Sequence, residues 1–417
     1  MDGTLKDKIR RDFIARYSSL WNKASATKEE LKENIRLIIE GIVNRPRHGL
    51  GEEDKQRIIG ELVDEFSGFG PIEQFMKDPS ITEIMINGPK KVYLEKNGKK
   101  TISSITFDSD QQIMYVVQKM LAPTRRHIDE SYPYVDISLD DGSRVNVIIP
   151  PLALDGPVVT IRKFLEEIRS VEDLIGLGTL DRCMADFLIA CIKAKVNMLF
   201  SGATGSGKTT ALGVLSGYIN NDERIVTIED TAELHLAQDH VIRLETRNPN
   251  IEGKGEVTIR DLFKNSLRMR PGRIILGEIR SSEALDMLQA MCSGHRGALA
   301  VIHAGSPQDV IHRLETMVLT SGIPITLEAV HRQIAAAVNL IIQQEQLPDG
   351  SRKITRLTQV NGIKDYQVIL EDIFVYEIEE VSKEGKVKGR FRATGVVPVF
   401  YPLFYKAGIN LPQEIFK

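Results

Sequence analysis

The sequence predicts an α/β protein whose main domain is a mixed, mostly parallel sheet, preceded by an α+β domain and an N-terminal helical region. Three observations support this. Gly202, Ala203, Thr204, Gly205, Ser206, Gly207, Lys208 and Thr209 fit the phosphate-binding loop G-x-x-x-x-G-K-[ST] and run on into Thr210. The loop lies between the apolar run Asn197-Met-Leu-Phe-Ser201, read as a buried strand, and Thr209-Thr-Ala-Leu-Gly-Val-Leu-Ser216, read as the start of a helix. Downstream, further apolar runs alternate with helical patterns, as expected for strands covered on both faces.

In chain order, residues 1–66 read as helices. Ile9, Phe13, Tyr17, Leu20 and Trp21 recur at helical spacing. Thr27 and Glu30 form a capping-box pattern ahead of Leu31, Ile35, Ile38, Ile39 and Ile42. A third stripe runs through Ile58, Ile59, Leu62, Val63 and Phe66. Ser67-Gly-Phe-Gly-Pro71 breaks the pattern, and an α+β domain over 70–165 follows. Within it, 82–87 and 91–95 alternate like strands beside the hairpin turn Lys96-Asn97-Gly98-Lys99, and 111–121 reads as a helix. Segments 135–139 and 144–149 flank a second turn, Asp140-Asp141-Gly142-Ser143.

The charged stretch 166–173 is expected to be a connector. The third domain spans 171–417, with strands expected at 197–201, 224–228, 273–276, 298–302 and 337–342. Their spacing implies a RecA-like core. Two further strands are expected in the tail, at 373–378 and 388–394.

Bulk properties narrow the function. A length of 417 residues allows two or three domains. With 57 acidic and 54 basic residues and 6% aromatics, the chain lacks the basic, aromatic surface of a nucleic-acid binder, so no nucleic-acid partner is expected. No apolar run is long enough to span a bilayer, and the charged N-terminus does not read as a signal peptide. Cys183, Cys191 and Cys292 form no CxxC pair, which suits reduced thiols in the cytoplasm.

ATP hydrolysis needs a phosphate cradle, Mg²⁺, an oriented water and positive charge at the γ-phosphate. Loop glycines turn backbone N–H groups towards phosphate, Lys208 can reach the outer phosphates, and the Thr209 hydroxyl can ligate Mg²⁺. Thr227-Ile-Glu229-Asp230 puts carboxylates at a strand end, where such sheets bind ligands. Arg273-Ile-Ile-Leu-Gly277-Glu278-Ile-Arg280 is a second apolar strand ending in an acid, with Gly277 where an aspartate usually precedes the glutamate. Glu278 would serve the metal, the water, or both. His303 closes a third strand at the same edge, suited to reading the γ-phosphate or orienting water. Arg144 and Arg162, in the preceding domain, have the planar fork that suits phosphate, although solvation alone would also explain them.

Together these motifs resemble the secretion-system and pilus motor ATPase superfamily. The loop at 202–209, the acidic box at 227–234, Gly277-Glu278-Ile-Arg280, and the histidine box from Gly294-His295-Arg296-Gly297 to His303-Ala304 carry the likeness. Within it the chain resembles the CpaF type, the motor of Tad (tight-adherence) pili. The similar segments are Gly70-Pro71-Ile72-Glu73, Asp78-Pro79-Ser80-Ile81-Thr82-Glu83-Ile84-Met85-Ile86-Asn87-Gly88, Asp141-Gly142-Ser143-Arg144-Val145-Asn146, Thr160-Ile161-Arg162-Lys163-Phe164 and Ala393-Thr394-Gly395-Val396-Val397-Pro398. The tetracysteine zinc module of type IV pilus and type II secretion assembly ATPases is lacking.

The resemblance implies a homo-hexameric ring ATPase using ATP and Mg²⁺. It would be cytoplasmic and peripheral at the inner membrane through a pilus or secretion platform protein. Lys208 and Thr209 would hold phosphate and metal, with Glu278 as a further metal ligand. Glu229 and Glu278 would share base and metal duties, either one being the base. His303 would read the γ-phosphate and Arg144 and Arg162 would reach the phosphates. Arg243, Arg268, Arg270 or Arg280 would contribute across subunits. The rival reading on the same core is a ring-shaped nucleic-acid translocase.

Overall fold

The computed structural model describes residues 28–43, 51–96, 98–124, 126–163, 168–247, 249, 254–382 and 385–417. The spacing expected over 9–21, the Thr27 cap and Asn97 of the first hairpin turn lie outside them. The chain forms two compact units that divide at 165/166.

The first unit opens with helices α1 (Lys28–Val43) and α2 (Glu52–Ser67), joined face to face through Ile35, Ile39, Ile42, Ile58, Ile59 and Leu62. A 3₁₀ turn at Gly70–Ile72 and the short helix α3 (Glu73–Lys77) occupy the sequence break. Six strands follow: β1 (Ile81–Asn87), β2 (Val92–Lys96), β3 (Lys99–Ile102), β4 (Tyr134–Ser138), β5 (Arg144–Ile148) and β6 (Val158–Arg162). They form an antiparallel sheet in the order β3-β2-β1-β6-β5-β4. Period-two alternation turns Val145, Val147, Val159 and Ile161 towards a core shared with Ile113, Val116, Val117 and Met120 of helix α4 (Asp110–Leu121). Arg144 and Arg162 are register partners across β5 and β6, so both stand on the opposite face.

The second unit begins with helix α5 (Val171–Gly176). The stretch expected to be a connector up to residue 173 therefore already contains a helix start. Ser170 Oγ accepts from Asp173 N (3.1 Å) and Asp173 Oδ2 accepts from Ser170 N (2.8 Å), a complete capping box. Next come α6 (Arg182–Lys193), β7 (Met198–Ser201), α7 (Lys208–Ser216), β8 (Ile225–Glu229), β9 (Val241–Glu245), α8 (Ile259–Ser266), β10 (Arg273–Leu276), α9 (Glu283–Cys292), β11 (Leu299–Ile302), α10 (Pro307–Leu319) and α11 (Leu327–Ala337). The chain closes with β12 (Leu340–Gln346), β13 (Arg352–Lys364), β14 (Gln367–Val381), β15 (Val387–Ala393) and α12 (Pro402–Lys406).

One nine-stranded sheet runs β15-β14-β13-β12-β7-β11-β10-β8-β9. Neighbours from β12 to β9 pair in parallel, and β13 to β15 extend the sheet antiparallel. The tail strands thus belong to the main sheet, which makes it mixed. The strand expected at 337–342 starts later, because Ala337 completes α11. Helices bury both faces, as the parallel part requires. Met198 and Phe200 pack with α6 and α7, while Leu199 between them packs with α8 to α11 on the other side.

The register aligns Ile302 with Ser201, and Leu276 with both Ala300 and Ile228. Residues 202, 229, 277–278 and 303 therefore leave the sheet along one edge.

Candidate active site

The loop after β7 bends through Gly202, Gly205 and Gly207, whose φ angles of 151°, 80° and 96° lie where a side chain is strained. Ser206 Oγ and Lys208 Nζ both donate to the Ala203 carbonyl, at 2.9 and 2.7 Å, and draw the loop into a ring. Helix α7 begins at Lys208, and Gly207 at its N-cap supplies no side-chain acceptor. Its first backbone N–H groups therefore face the ring, with the positive end of the helix dipole behind them. Thr209 is half-buried on the first turn and Thr210 is exposed.

Lys208 is only 5% exposed, and its ammonium lies 3.4 Å from His303 Nδ1. His303 Nε2 lies 3.3 Å from Glu278 Oε1. Arg280 joins Glu278 Oε2 at 2.6 Å to Asp230 Oδ2 at 2.9 Å. Three sequence-predicted residues, Lys208, His303 and Glu278, are therefore connected in a line across the ends of three strands. Burial pushes the Glu278 carboxyl up, but His303 and Arg280 outweigh it and hold it down at about 2. The Arg280 guanidinium is raised in turn, chiefly by its bond to Glu278. Arg280 is thus paired with two carboxylates of the same chain.

Glu229 is placed differently. It is 3% exposed, and its Oε1 accepts from the backbone N–H groups of Glu233 (2.9 Å) and Leu234 (3.1 Å). Its carboxyl is raised by burial, against the opposing pull of those N–H groups. These bonds fix the turn after β8 instead of joining the Lys208–His303–Glu278 line. The same residue explains Gly277. A Cβ at position 277 would lie 2.8 Å from Glu229 Cγ and 3.3 Å from its Cβ. Gly277→Ala should therefore destabilise the fold by about 1–3 kcal/mol, the usual cost of overpacking, seen as a lower thermal midpoint. Melting at the wild-type temperature would show that Glu229 has room to move.

Arg162 lies opposite Arg144 on β5 and opposite Glu83 on β1, with its Nε 3.8 Å from Glu83 Oε1. Arg243, Arg268 and Arg270 are exposed on the second unit. Sequence reasoning missed Arg352 and Gln344 on the β12–β13 hairpin, which back the loop. Arg352 Nε donates to the Gly205 carbonyl at 2.9 Å, and a Cβ at Gly207 would lie 2.8 Å from Gln344 Nε2. The Arg352–Gly205 contact joins residues 147 positions apart, and no local motif marks it.

Residues 65–392 match the type II/IV secretion system protein family, and the chain belongs to that family. A Mycobacterium tuberculosis protein provisionally named for conjugal transfer is 31% identical over 74% of this chain and 89% of its own length. The type IV secretion system protein VirB11 of Bartonella henselae is 27% identical over 76% of this chain and 96% of its own. Among solved structures, the VirB11 ATPase of Brucella suis is 27% identical, covering 69% of this chain and 95% of that one, with a TM-score of 0.39. The pilus retraction motor PilT with bound ADP is 20% identical, covering 72% and 80%, with a TM-score of 0.47. Among the described residues no helix is long and apolar enough to cross a membrane.

Proposed function

We propose that this protein is a Mg²⁺-dependent ATPase with a RecA-like core that works as a hexameric motor. Its domains are 1–66, 70–165 and 171–417, and its machine is a Tad-type pilus or a related secretion apparatus, as for the CpaF type. The observation that carries the reading is the Lys208–His303–Glu278 line beside the phosphate loop. It sets a cation that can meet the outer phosphates 3.4 Å from a histidine, which in turn touches an anchored carboxylate.

The oxygen donors Thr209 and Glu278 fit a hard cation such as Mg²⁺. Both Glu278 oxygens already meet His303 and Arg280, so Glu278 would serve the ion through water. Mg²⁺ supplies charge that neutralises the β- and γ-phosphate oxygens. The backbone N–H groups of the loop and α7 hold the phosphates, and Lys208 exchanges the Ala203 carbonyl for the outer ones. His303 then lies between Lys208 and Glu278, where it can register the γ-phosphate and orient water with Glu278. Glu229 keeps the neighbouring turn in place. Arg144 and Arg162, register partners on β5 and β6 of the N-terminal domain, are further candidates for a phosphate-binding role. The protein is cytoplasmic and acts at the inner membrane through a platform protein.

Light scattering should show a hexamer with a non-hydrolysable ATP analogue and Mg²⁺, and neither single- nor double-stranded DNA should raise phosphate release. A strictly monomeric, fully active enzyme contradicts the ring. DNA stimulation that falls steeply with salt would favour the nucleic-acid translocase instead.

A further inference from the structure

Behind the phosphate loop lies a rigid hairpin that the catalytic reading leaves without a task. Strands β12 and β13 pair from Leu340↔Gln359 to Gln346↔Arg352. Their turn closes through Leu347 N to Ser351 O and Ser351 N to Asp349 Oδ1, at 2.8 and 2.9 Å. Asp349 Oδ2 also accepts from Val387 N at 3.1 Å, which ties the turn to β15. Just beyond Arg352, Lys353 Nζ donates to the Gly178 carbonyl and Ile354 N donates to Thr179 O at 2.8 Å. Arg352 therefore projects from a fixed base.

What it reaches is the phosphate loop. Its Nε–H donates to the Gly205 carbonyl at 2.9 Å, and its Cδ would lie 3.3 Å from a Cβ at Gly207. A trans peptide points its C=O and the following N–H in opposite directions. Holding the Gly205 oxygen against Arg352 therefore turns the Ser206 N–H into the ring, where its contact to Ala203 O is a long 3.4 Å. Gly205 itself, at φ 80°, has no side chain that could restrain this peptide.

We infer that Arg352 is a positioning residue for the nucleotide: it fixes the Gly205–Ser206 peptide so that the Ser206 N–H faces the bound phosphates. This rests on the ATPase reading above. Its energetic effect falls on binding, present equally in the ground and transition states. Arg352 thus sets KM more than kcat.

The test uses the full-length protein, with ADP affinity by calorimetry and steady-state ATP kinetics for Arg352→Met, Arg352→Lys and Lys208→Ala. Methionine keeps the methylene packing against Gly207 and removes the donor. Arg352→Met is expected to raise KM for ATP and the Kd for ADP about tenfold or more, as for a charge-assisted hydrogen bond, with kcat within about threefold. Its melting temperature without nucleotide should match the wild type, while the rise caused by ADP should shrink. Lysine carries its donor one atom further out, so Arg352→Lys should recover part of the affinity. Wild-type ADP affinity in Arg352→Met, or an equal fall in kcat and affinity with a lower melting temperature without nucleotide, would overturn the proposal. Should the methionine variant fail to fold, Arg352→Lys decides alone, and wild-type affinity there counts against it. Lys208→Ala separates the two readings. If it loses ADP while Arg352→Met does not, only the positioning role fails; if it binds ADP like the wild type, the nucleotide reading itself fails.

Discussion

Lys208→Ala is expected to weaken MgATP binding at least about a hundredfold and to bring phosphate release to background, the loss of two or three charge-assisted hydrogen bonds to phosphate. The folded protein should survive the change. The Lys208 ammonium donates to the Ala203 carbonyl, but that oxygen also accepts from Ser206 Oγ at 2.9 Å and is not stranded. The alanine keeps the helix propensity of α7, whose Gly207 cap is untouched. Circular dichroism and thermal unfolding without nucleotide should therefore match the wild type, while calorimetry with MgATP shows no saturable heat. His303 loses a neighbouring cation 3.4 Å from Nδ1, so its link to Glu278 should persist or tighten. Turnover at the wild-type rate in this variant would mean that the loop at 202–209 does not hold the reacting phosphates.

How much of this was legible in the sequence depended on how local each signal is. The phosphate loop is continuous in the chain, and its flanking strand and helix carry matching apolar patterns. Strand β10 is legible at Arg273–Leu276, because an unbroken apolar run between a charged residue and a glycine has little alternative. The boundary near 337 is hard to read because apolar residues run on from α11 to Val338 and only Asn339 separates them from β12. The chain turns at Asn339, whose Oδ1 accepts from Asn197 N at 3.0 Å. Strands β9 and β13 carry no clear sequence signal: β9 is a half-exposed edge, and the charged Arg352, Lys353 and Arg356 mask the alternation of β13. The S-x-x-D spacing of Ser170 and Asp173 marks the helix start, but the surrounding charge gives the segment the look of a linker.

The two glutamates show the limit most clearly. Each follows an apolar strand, and nothing in the sequence separates them. The fold does, since Glu229 is enclosed and satisfied by the Glu233 and Leu234 N–H groups, while Glu278 meets His303 and Arg280. Gly277 likewise departs from the usual acidic residue for a reason visible only in three dimensions, the Glu229 side chain 2.8 Å from where its Cβ would be.

Glu278→Gln separates holding the nucleotide from hydrolysing it. Glutamine has nearly the same shape and loses the negative charge. It can accept from Arg280 or His303 through its oxygen, but its NH₂ group cannot accept from the other. The line from Lys208 through His303 then ends on a neutral amide, which removes the negative charge that the proposed mechanism uses to orient water and to face Mg²⁺. Asp230, 2.9 Å from Arg280, keeps that arginine in place, so the site should change locally. The measurement is MgATP affinity and single-turnover phosphate release on the same preparation. Affinity is expected to stay within about threefold of the wild type while phosphate release slows by at least about a hundredfold, as for the loss of a positioned catalytic group. Phosphate release at the wild-type rate would contradict it, and would move the hydrolytic centre away from the end of β10.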